Sequence, residues 1–576
     1  MTGLLLMFTY SPSATSAWAS VFYIEQIPGG SFVRGLHYFG TQAFVIAFAV
    51  HLMRTLISGA FRAPRELIWI TGVLLLPLVA AWSVTGNPLT ATQKAFAQIQ
   101  VESEIVGSAP VAGPALQRIL IGGERIGNLT LTHLNVLHVA ILPLVAALLL
   151  GVHLWQICLH GIGYQEVEPT ERACAYFPHQ TIRNLTVFAV VLGIISYLAW
   201  HSGAPLEAPA GAPDEAPPRP EWYFAFLFEL RRYFPGDSEI IATQVLPGVA
   251  ILVLLLIPAI DRLLPRAASF GLRILVLLIV VGGITGLTAT SMYRDWNDAE
   301  FIAAREASHE LAERARALAA HEGIPPAGPR QLLANDPKTQ GPRLFAEHCA
   351  TCHLYQGSEA PEIASEEPVA PNLYGFASRE WIRGLLDPEK IGTADYFGNT
   401  EDMKAGDMVA TVHDLFDDLD ELEEDERQEI NTWREDVVVA LSAEADLPTQ
   451  QEADEADAER IATGAEFIKT GDFGCTDCHK FHDEGDLGSA PDLTAYGSRE
   501  WLAAMIADPE HERFYPDTNE GMPAFGLAQG NAAPILSEAE LGLIVDWLRR
   551  DWYEPQQAAT ESRPPDTGDS ATTVAP

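Results

Sequence analysis

Residues 33–55, VRGLHYFGTQAFVIAFAVHLMRT, and 132–157, THLNVLHVAILPLVAALLLGVHLWQI, decide the fold. Each run is apolar and close to the ~20 residues a helix needs to cross a bilayer core. His37 and His51 lie in the first run, His138 and His153 in the second. Their spacings of 14 and 15 residues correspond to about 3.9 and 4.2 helical turns. Each pair therefore sits on roughly one face, ~21 Å apart in depth. Ionisable side chains are costly in a bilayer and mark functional positions. Neutral imidazole suits haem iron. Two such helices facing each other would present two His–His pairs, one near each membrane surface, as ligands of two stacked haems.

Working outward, four more apolar runs follow at about 67–85, 182–201, 243–262 and 271–291. The stretch Thr2–Tyr10 is apolar but too short to span. It lacks the basic region and cleavage site of a signal peptide and reads as the end of a truncated first helix. Arg54, Arg62 and Arg65 flank the 55–66 loop, and Arg262, Arg266 and Arg273 flank the 262–273 loop. The arginines predict both loops on the cytoplasmic side, so that everything after residue 295 lies outside. Gly72 and Gly86 repeat at the 14-residue period of the first histidine pair and would leave a helix face free for a flat porphyrin. Arg34 and Arg54 stand three residues outside His37 and His51, placed to meet haem propionates.

Charge divides the chain. Through Arg294 there are 16 acidic and 16 basic residues, and from Asp295 onward 60 and 20, so the net charge of −40 resides in the second part. This balance excludes a nucleic-acid binder driven by phosphate neutralisation. The hydrophobic fraction of 48% excludes a disordered acidic chain.

In order, the segments SVFYIEQIPGGSFVRGLHYFG, VHLMR, FRAPRELIW, TGNPLTATQKAF, LTHLNVLHVAILP and PRPEWYFAFLFELRRYFPG resemble cytochrome b of the quinol-oxidising cytochrome bc complexes. The resemblance covers nearly all of residues 1–294, and the 15-residue step is similar to the split, chloroplast-type form. It implies that His37 and His138 bind an outer haem b and that His51 and His153 bind an inner one. Pro220-Glu221-Trp222-Tyr223 matches the family's PEWY segment at the outer quinol site. The resemblance thus implies Glu221 as proton acceptor and Tyr223 beside it. One stretch and two histidines depart from or qualify the pattern. Asn87-Pro88-Leu89-Thr90-Ala91 stands where the family often has Tyr-Leu-Leu-Pro-Trp, and His133 where an arginine often meets a propionate. His160 reads as a histidine at a helix end.

Cys349-Ala-Thr-Cys352-His353 and Cys475-Thr-Asp-Cys478-His479 are both C-x-x-C-H, the attachment pattern of covalent haem c. Cys158 and Cys174 read as ordinary thiols. The motifs lie in a repeat, with Ala370-Pro-Asn-Leu and Ser378-Arg-Glu-Trp-Ile answered by Ala490-Pro-Asp-Leu and Ser498-Arg-Glu-Trp-Leu. Each copy resembles a class I cytochrome c, which implies a methionine as second axial ligand. Met522 is the candidate in the second copy. In the first, Met403 fits best by offset and Met408 is the alternative.

The expected architecture is all-α, a transmembrane bundle followed by two small helical domains. Residues 1–165 would form the di-haem core and 166–295 the quinol-site region. A linker at 296–335, cytochrome c domains at 336–445 and 456–553 joined by 446–455, and a disordered tail at 554–576 would follow. The resemblance implies a fused cytochrome b and di-haem c subunit of a bacterial quinol–cytochrome c oxidoreductase. Two b haems would carry electrons across the inner membrane, and two c haems would carry them to an external cytochrome or other acceptor, with protons released outside. Its partners would be quinol, membrane lipid, a Rieske iron–sulfur protein and a second copy of the complex. A Rieske cluster needs both Cys-x-His and Cys-x-x-His. The chain has no Cys-x-x-His, so that protein is expected as a separate chain. The alternative reading is a haem anchor feeding quinol electrons to a dedicated reductase; PEWY and Pro64-Arg65-Glu66-Leu67 weigh against it.

Overall fold

The computed structural model describes residues 2–161, 176–213, 217–358, 362–470, 474–487, 490–516, 519, 521–528, 530 and 532–555. Cys174, the expected boundary at 165/166 and nearly all of the expected 554–576 tail lie outside the described residues. The described residues are helical apart from turns, loops and three isolated bridges. The chain forms two compact units, Met1–Leu333 and Ala334–Pro576.

Among the described residues of the first unit, six helices are long and apolar enough to cross a membrane: α1 (Gly30–Ser58), α2 (Glu66–Thr90), α4 (Asn128–His160), α5 (Tyr176–His201), α6 (Gly236–Leu263) and α7 (Arg266–Asn297). Each contains one of the six apolar runs. Between α2 and α4 lies α3 (Gln93–Gly107), whose first turn is capped by Thr92, its side chain accepting from Ala95 N. Polar contacts gather at two ends of the bundle. At one, Arg62 pairs with Asp261 at 2.8 Å, Arg273 donates to the carbonyls of Leu56 and Ile57 at 3.0 Å, and Arg65 reaches the His160 carbonyl at 3.4 Å. This end gathers the two arginine-rich loops, as the charge pattern predicts. At the other, Trp18 donates to the Glu207 carbonyl at 2.9 Å, Gln93 donates to the Ala212 carbonyl at 2.8 Å, and Arg219 pairs with Asp295 at 2.8 Å.

The expected 296–335 linker divides differently. A helix over Ala299–Glu322 belongs to the first unit. It is capped by Asp298, and the Arg219 guanidinium lies 4.3 Å over the Phe301 ring. The aromatic face and the cap turn a charged segment into a packed element.

The second unit contains α8 (Pro337–His348), α9 (Arg379–Leu385), α10 (Glu424–Ala443), α11 (Ala458–Thr470), α12 (Arg499–Ala507) and α13 (Glu538–Leu548). The repeat is visible bond for bond. Ser378 and Ser498 cap α9 and α12 by accepting from Trp381 N and Trp501 N, both at 3.2 Å. The indole N–H groups then donate to the carbonyls of Asn372 at 3.1 Å and Asp492 at 2.7 Å. Their packing, however, differs from two domains standing side by side. The helix opening each copy packs against the helix closing the other: α8 on α13, and α10 on α11. A Cβ on Gly341 would fall 2.1 Å from Trp547 Cγ, and one on Gly464 would fall 1.9 Å from the Asp436 carbonyl. The Phe345–Trp547 and Trp433–Phe467 rings meet at 5.4 Å in both pairs. The connection between α10 and α11 is short enough for them to close as neighbours, a small loop-closure cost. The outermost helices α8 and α13 then pair with each other. One apolar core results, running from Phe345 to Leu548.

Candidate functional site

Histidine ligation requires a free, neutral ring nitrogen aimed at a shared space. The His37 and His138 rings face each other from α1 and α4 with centroids 6.3 Å apart and planes at 85°. An iron held about 2 Å from one nitrogen of each ring needs centroids roughly 6 Å apart, so the pair fits a bis-histidine haem. The tautomer fits as well. His138 Nδ1 lies 3.1 Å from the Trp82 carbonyl, which can only accept, so Nδ1 carries the hydrogen and Nε2 keeps its lone pair. Thr85 Oγ1 lies 3.3 Å from the same Nδ1. In the other pair, Thr71 Oγ1 donates to the Leu67 carbonyl at 2.9 Å and lies 3.0 Å from His153 Nδ1. Thr2 Oγ1 meets His37 Nδ1 at 3.2 Å. His153 is buried and His51 exposed on its helix.

Gly72 and Gly86 make room for these rings. A Cβ would sit 3.2 Å from His153 Cε1 at position 72 and 2.7 Å from His138 Cε1 at position 86. Thr71-Gly72 and Thr85-Gly86 thus form a repeated unit in which the hydroxyl orients a histidine and the glycine admits it. Sequence reasoning found the glycines and missed the threonines, although the dipeptide recurs at the same 14-residue step. The unequal histidine spacings also find a cause. Residues Leu137–Ile141, around His138, form a π-turn ahead of Pro143. Pro143 offers no N–H, and a π-turn takes up one additional residue. The 15-residue step is thereby brought close to the register of the 14-residue one.

Arg34 is committed elsewhere, bonding Glu25 at 3.0 Å and the Pro205 carbonyl at 3.1 Å, and is buried. Arg54 is exposed on α1. His133 Nδ1 lies 2.7 Å from the Ile119 carbonyl.

Glu221 stands in extended backbone before the tight turn Trp222–Phe224. Trp222 fixes that turn to α1 by donating to Gln42 Oε1 at 3.3 Å. The Glu221 side chain is 11% exposed and accepts from Lys94 Nζ at 3.1 Å and Asn87 Nδ2 at 3.4 Å. Lys94 lies 3.9 Å from a second carboxylate, Glu207. Burial alone would lower the Lys94 ammonium, but Glu221 and Glu207 outweigh it and hold it above the usual lysine range. Tyr223 is bonded to Ser83, and burial, reinforced by Glu221, pushes its phenol up. Lys94 was missed by sequence reasoning, yet it is the only lysine in the first 294 residues. Farther along α3, burial lifts Glu102 to about 8.

In the second unit the two C-x-x-C-H motifs are built alike. His353 Nδ1 lies 2.8 Å from the Pro371 carbonyl and His479 Nδ1 lies 2.7 Å from that of Pro491, leaving each Nε2 free as a ligand. Burial holds both imidazoles below the usual histidine range and therefore neutral. Cys349, Cys352, Cys475 and Cys478 are unpaired. Burial pushes Cys349 to about 12 and Cys475 to about 11, the opposite of the lowered thiol of a redox C-x-x-C site. Met522 N donates to Asn519 Oδ1 at 3.0 Å, and Met403 N to Thr400 Oγ1 at 3.1 Å. Met522 and Met408 pack against the core. Among the described residues, no three His, Cys, Asp or Glu side chains gather to hold a bare metal ion.

Residues 42–209 match the family described as "Cytochrome b(N-terminal)/b6/petB". A cytochrome bc complex cytochrome b subunit of Chlorobaculum thiosulfatiphilum is 31% identical over 295 residues, which are 49% of this chain and 68% of that protein. Cytochrome b6 of Synechococcus sp. is 35% identical over 163 residues, 28% of this chain and 76% of that one. Against cytochrome b of Rhodobacter capsulatus the identity is 31%, and the chain spans 59% of that relative's length. With the paired histidines, the glycine-lined faces and six spanning helices in place, the chain belongs to the cytochrome b family.

Proposed function

We propose that this chain is the cytochrome b component of a bacterial quinol-oxidising cytochrome bc-type complex, carrying its own di-haem cytochrome c. The observation that carries the reading is the His37–His138 pair, 6.3 Å apart with Nε2 of His138 left free. The similarity to a subunit of a cytochrome bc complex supports it. His37 and His138 would hold one haem b, and His51 and His153 the other. Cys349 with Cys352, and Cys475 with Cys478, would be the covalent attachments of two haems c. His353 and His479 would hold the two irons, together with Met403 and Met522. Gly72 and Gly86 keep the helix face clear for the histidines. Arg54 is the freer of the two arginines to meet a propionate, because Arg34 is already bonded. When bound, the four haems supply one-electron carriage, two within the membrane and two toward an acceptor outside it.

The chain's own residues do the acid–base work. Quinol is the substrate, and Glu221, largely enclosed at the membrane edge, takes a proton from its hydroxyl. Tyr223 and Trp222 form the rigid frame that holds the carboxylate there. A separate Rieske protein, a cytochrome or other external acceptor, lipid and a second copy of the complex complete the assembly. The chain would cross the inner membrane with its acidic part outside.

Pyridine haemochrome quantitation of the purified membrane protein tests the reading. Two b and two c haems per chain are expected, and His138→Ala should leave one b and two c. A wild-type protein with fewer than two b haems, or with no covalent haem, overturns it.

A further inference from the structure

Lys94 occupies a position the assigned chemistry does not use. It is the only lysine in the first 294 residues, and it stands between two carboxylates, 3.1 Å from Glu221 and 3.9 Å from Glu207. The three groups come from different elements: Lys94 from the first turn of α3, Glu221 from the turn before the α6 region, and Glu207 from the segment following α5. Glu221 is the most enclosed of the three, with side chains 11% exposed at Glu221, 35% at Lys94 and 30% at Glu207. Lys94 is itself held in place: Thr92 caps its turn, and its neighbour Gln93 is buried and bonded to the Ala212 carbonyl at 2.8 Å. An ammonium placed so close to a carboxylate favours its ionised form. The other groups facing Glu221 are Asn87, which donates a hydrogen bond, and the Tyr38 and Tyr223 phenols.

Resting on the outer-site reading above, we propose that Lys94 is a positioning residue that holds the Glu221 carboxylate aimed between proton uptakes, and then exchanges it for Glu207. When Glu221 accepts the quinol proton its carboxyl becomes neutral, and the ion pair with Lys94 is lost. Lys94 keeps its own hydrogens and turns to Glu207, which frees the protonated carboxyl to rotate outward and release the proton. Re-ionised Glu221 then recovers Lys94. Lys94 therefore acts through Glu221 and touches neither quinol nor haem.

The test is quinol oxidation by the assembled complex across pH for Glu221→Gln, Lys94→Met, Lys94→Arg and the double variant, with b-haem content measured in each. Removing the ammonium while leaving the burial moves the acidic limb of the kcat profile upward. KM stays within about twofold, and Lys94→Arg restores the wild-type limb. Lys94→Met adds nothing in the Glu221→Gln background. Should Lys94→Met fail to assemble, Lys94→Gln against Lys94→Arg carries the same comparison. Wild-type turnover in Glu221→Gln overturns the outer-site reading and the proposal together. An impaired Glu221→Gln with an unshifted profile in Lys94→Met or Lys94→Gln overturns the role of Lys94 alone.

Discussion

Trp547→Ala should loosen a helix that lies some two hundred residues earlier in the chain. Trp547 is 4% exposed on α13; its ring lies 4.1 Å from Tyr355 and 5.4 Å from Phe345, and its Cβ and Cγ fill the space left by Gly341. Those three partners belong to the first copy, on and just after α8. Truncating a buried tryptophan to alanine costs about 3–5 kcal/mol, a large share of the roughly 5–15 kcal/mol that holds a domain together. At about 1.4 kcal/mol per factor of ten, amide exchange in residues 337–348 should accelerate by at least about 100-fold. Hydrogen exchange with mass spectrometry on the full-length protein reads this segment by segment. Residues 458–470 should keep their protection, because α11 packs on α10 instead. Trp433→Ala should show the converse, loosening α11 through the lost Phe467 contact. If Trp547→Ala released α11 and spared α8, each copy would be closing on itself and the exchanged pairing would be wrong.

Gly86→Val should cost the protein one b haem, since its Cβ would intrude to 2.7 Å of His138, whereas Gly151→Ala, with open space around it, should retain both; haem quantitation distinguishes them. Gly72→Ala, with a 3.2 Å approach to His153, should shift the midpoint of the second b haem without emptying its site, as read by redox titration. On the proposed di-haem c reading, Met522→Ala should abolish the sulfur–iron absorption of one c haem, and Met403→Ala that of the other; survival of the latter band until Met408 is also replaced would move the ligand to Met408. Reduction of a small cationic acceptor should slow as salt is raised across ~0.01–0.15 M, because the −40 charge steers it only when unscreened. An anionic acceptor should respond in the opposite sense.

The spanning helices, the paired histidines and the two C-x-x-C-H motifs are legible in the chain itself because each is local. An apolar run of bilayer length, a 14-residue period and a C-x-x-C-H segment need no partner to be recognised. The repeat is equally readable, since Trp381 and Trp501 sit in nearly identical text. The features that escape reading join residues distant in sequence. Lys94 and Glu221 are 127 positions apart, and Thr85 and His138 are 53 apart. Nothing local says that the hydroxyl faces the ring or that the ammonium finds the carboxylate.

The sequence by itself determines an all-helical membrane chain with four histidines in two depth-matched pairs and a doubled C-x-x-C-H unit, because hydropathy and helical period act over a few turns. Tertiary structure alone decided the rest. It set which ring nitrogen is free, through a carbonyl presented by a neighbouring helix. It placed a π-turn at His138 in the longer histidine step. It gave Lys94 two carboxylates, and it paired α8 with α13 across the copies. In each case several partners were chemically acceptable, and the choice fell to whichever packing brought both sides together at the least cost in loop closure and buried polar groups.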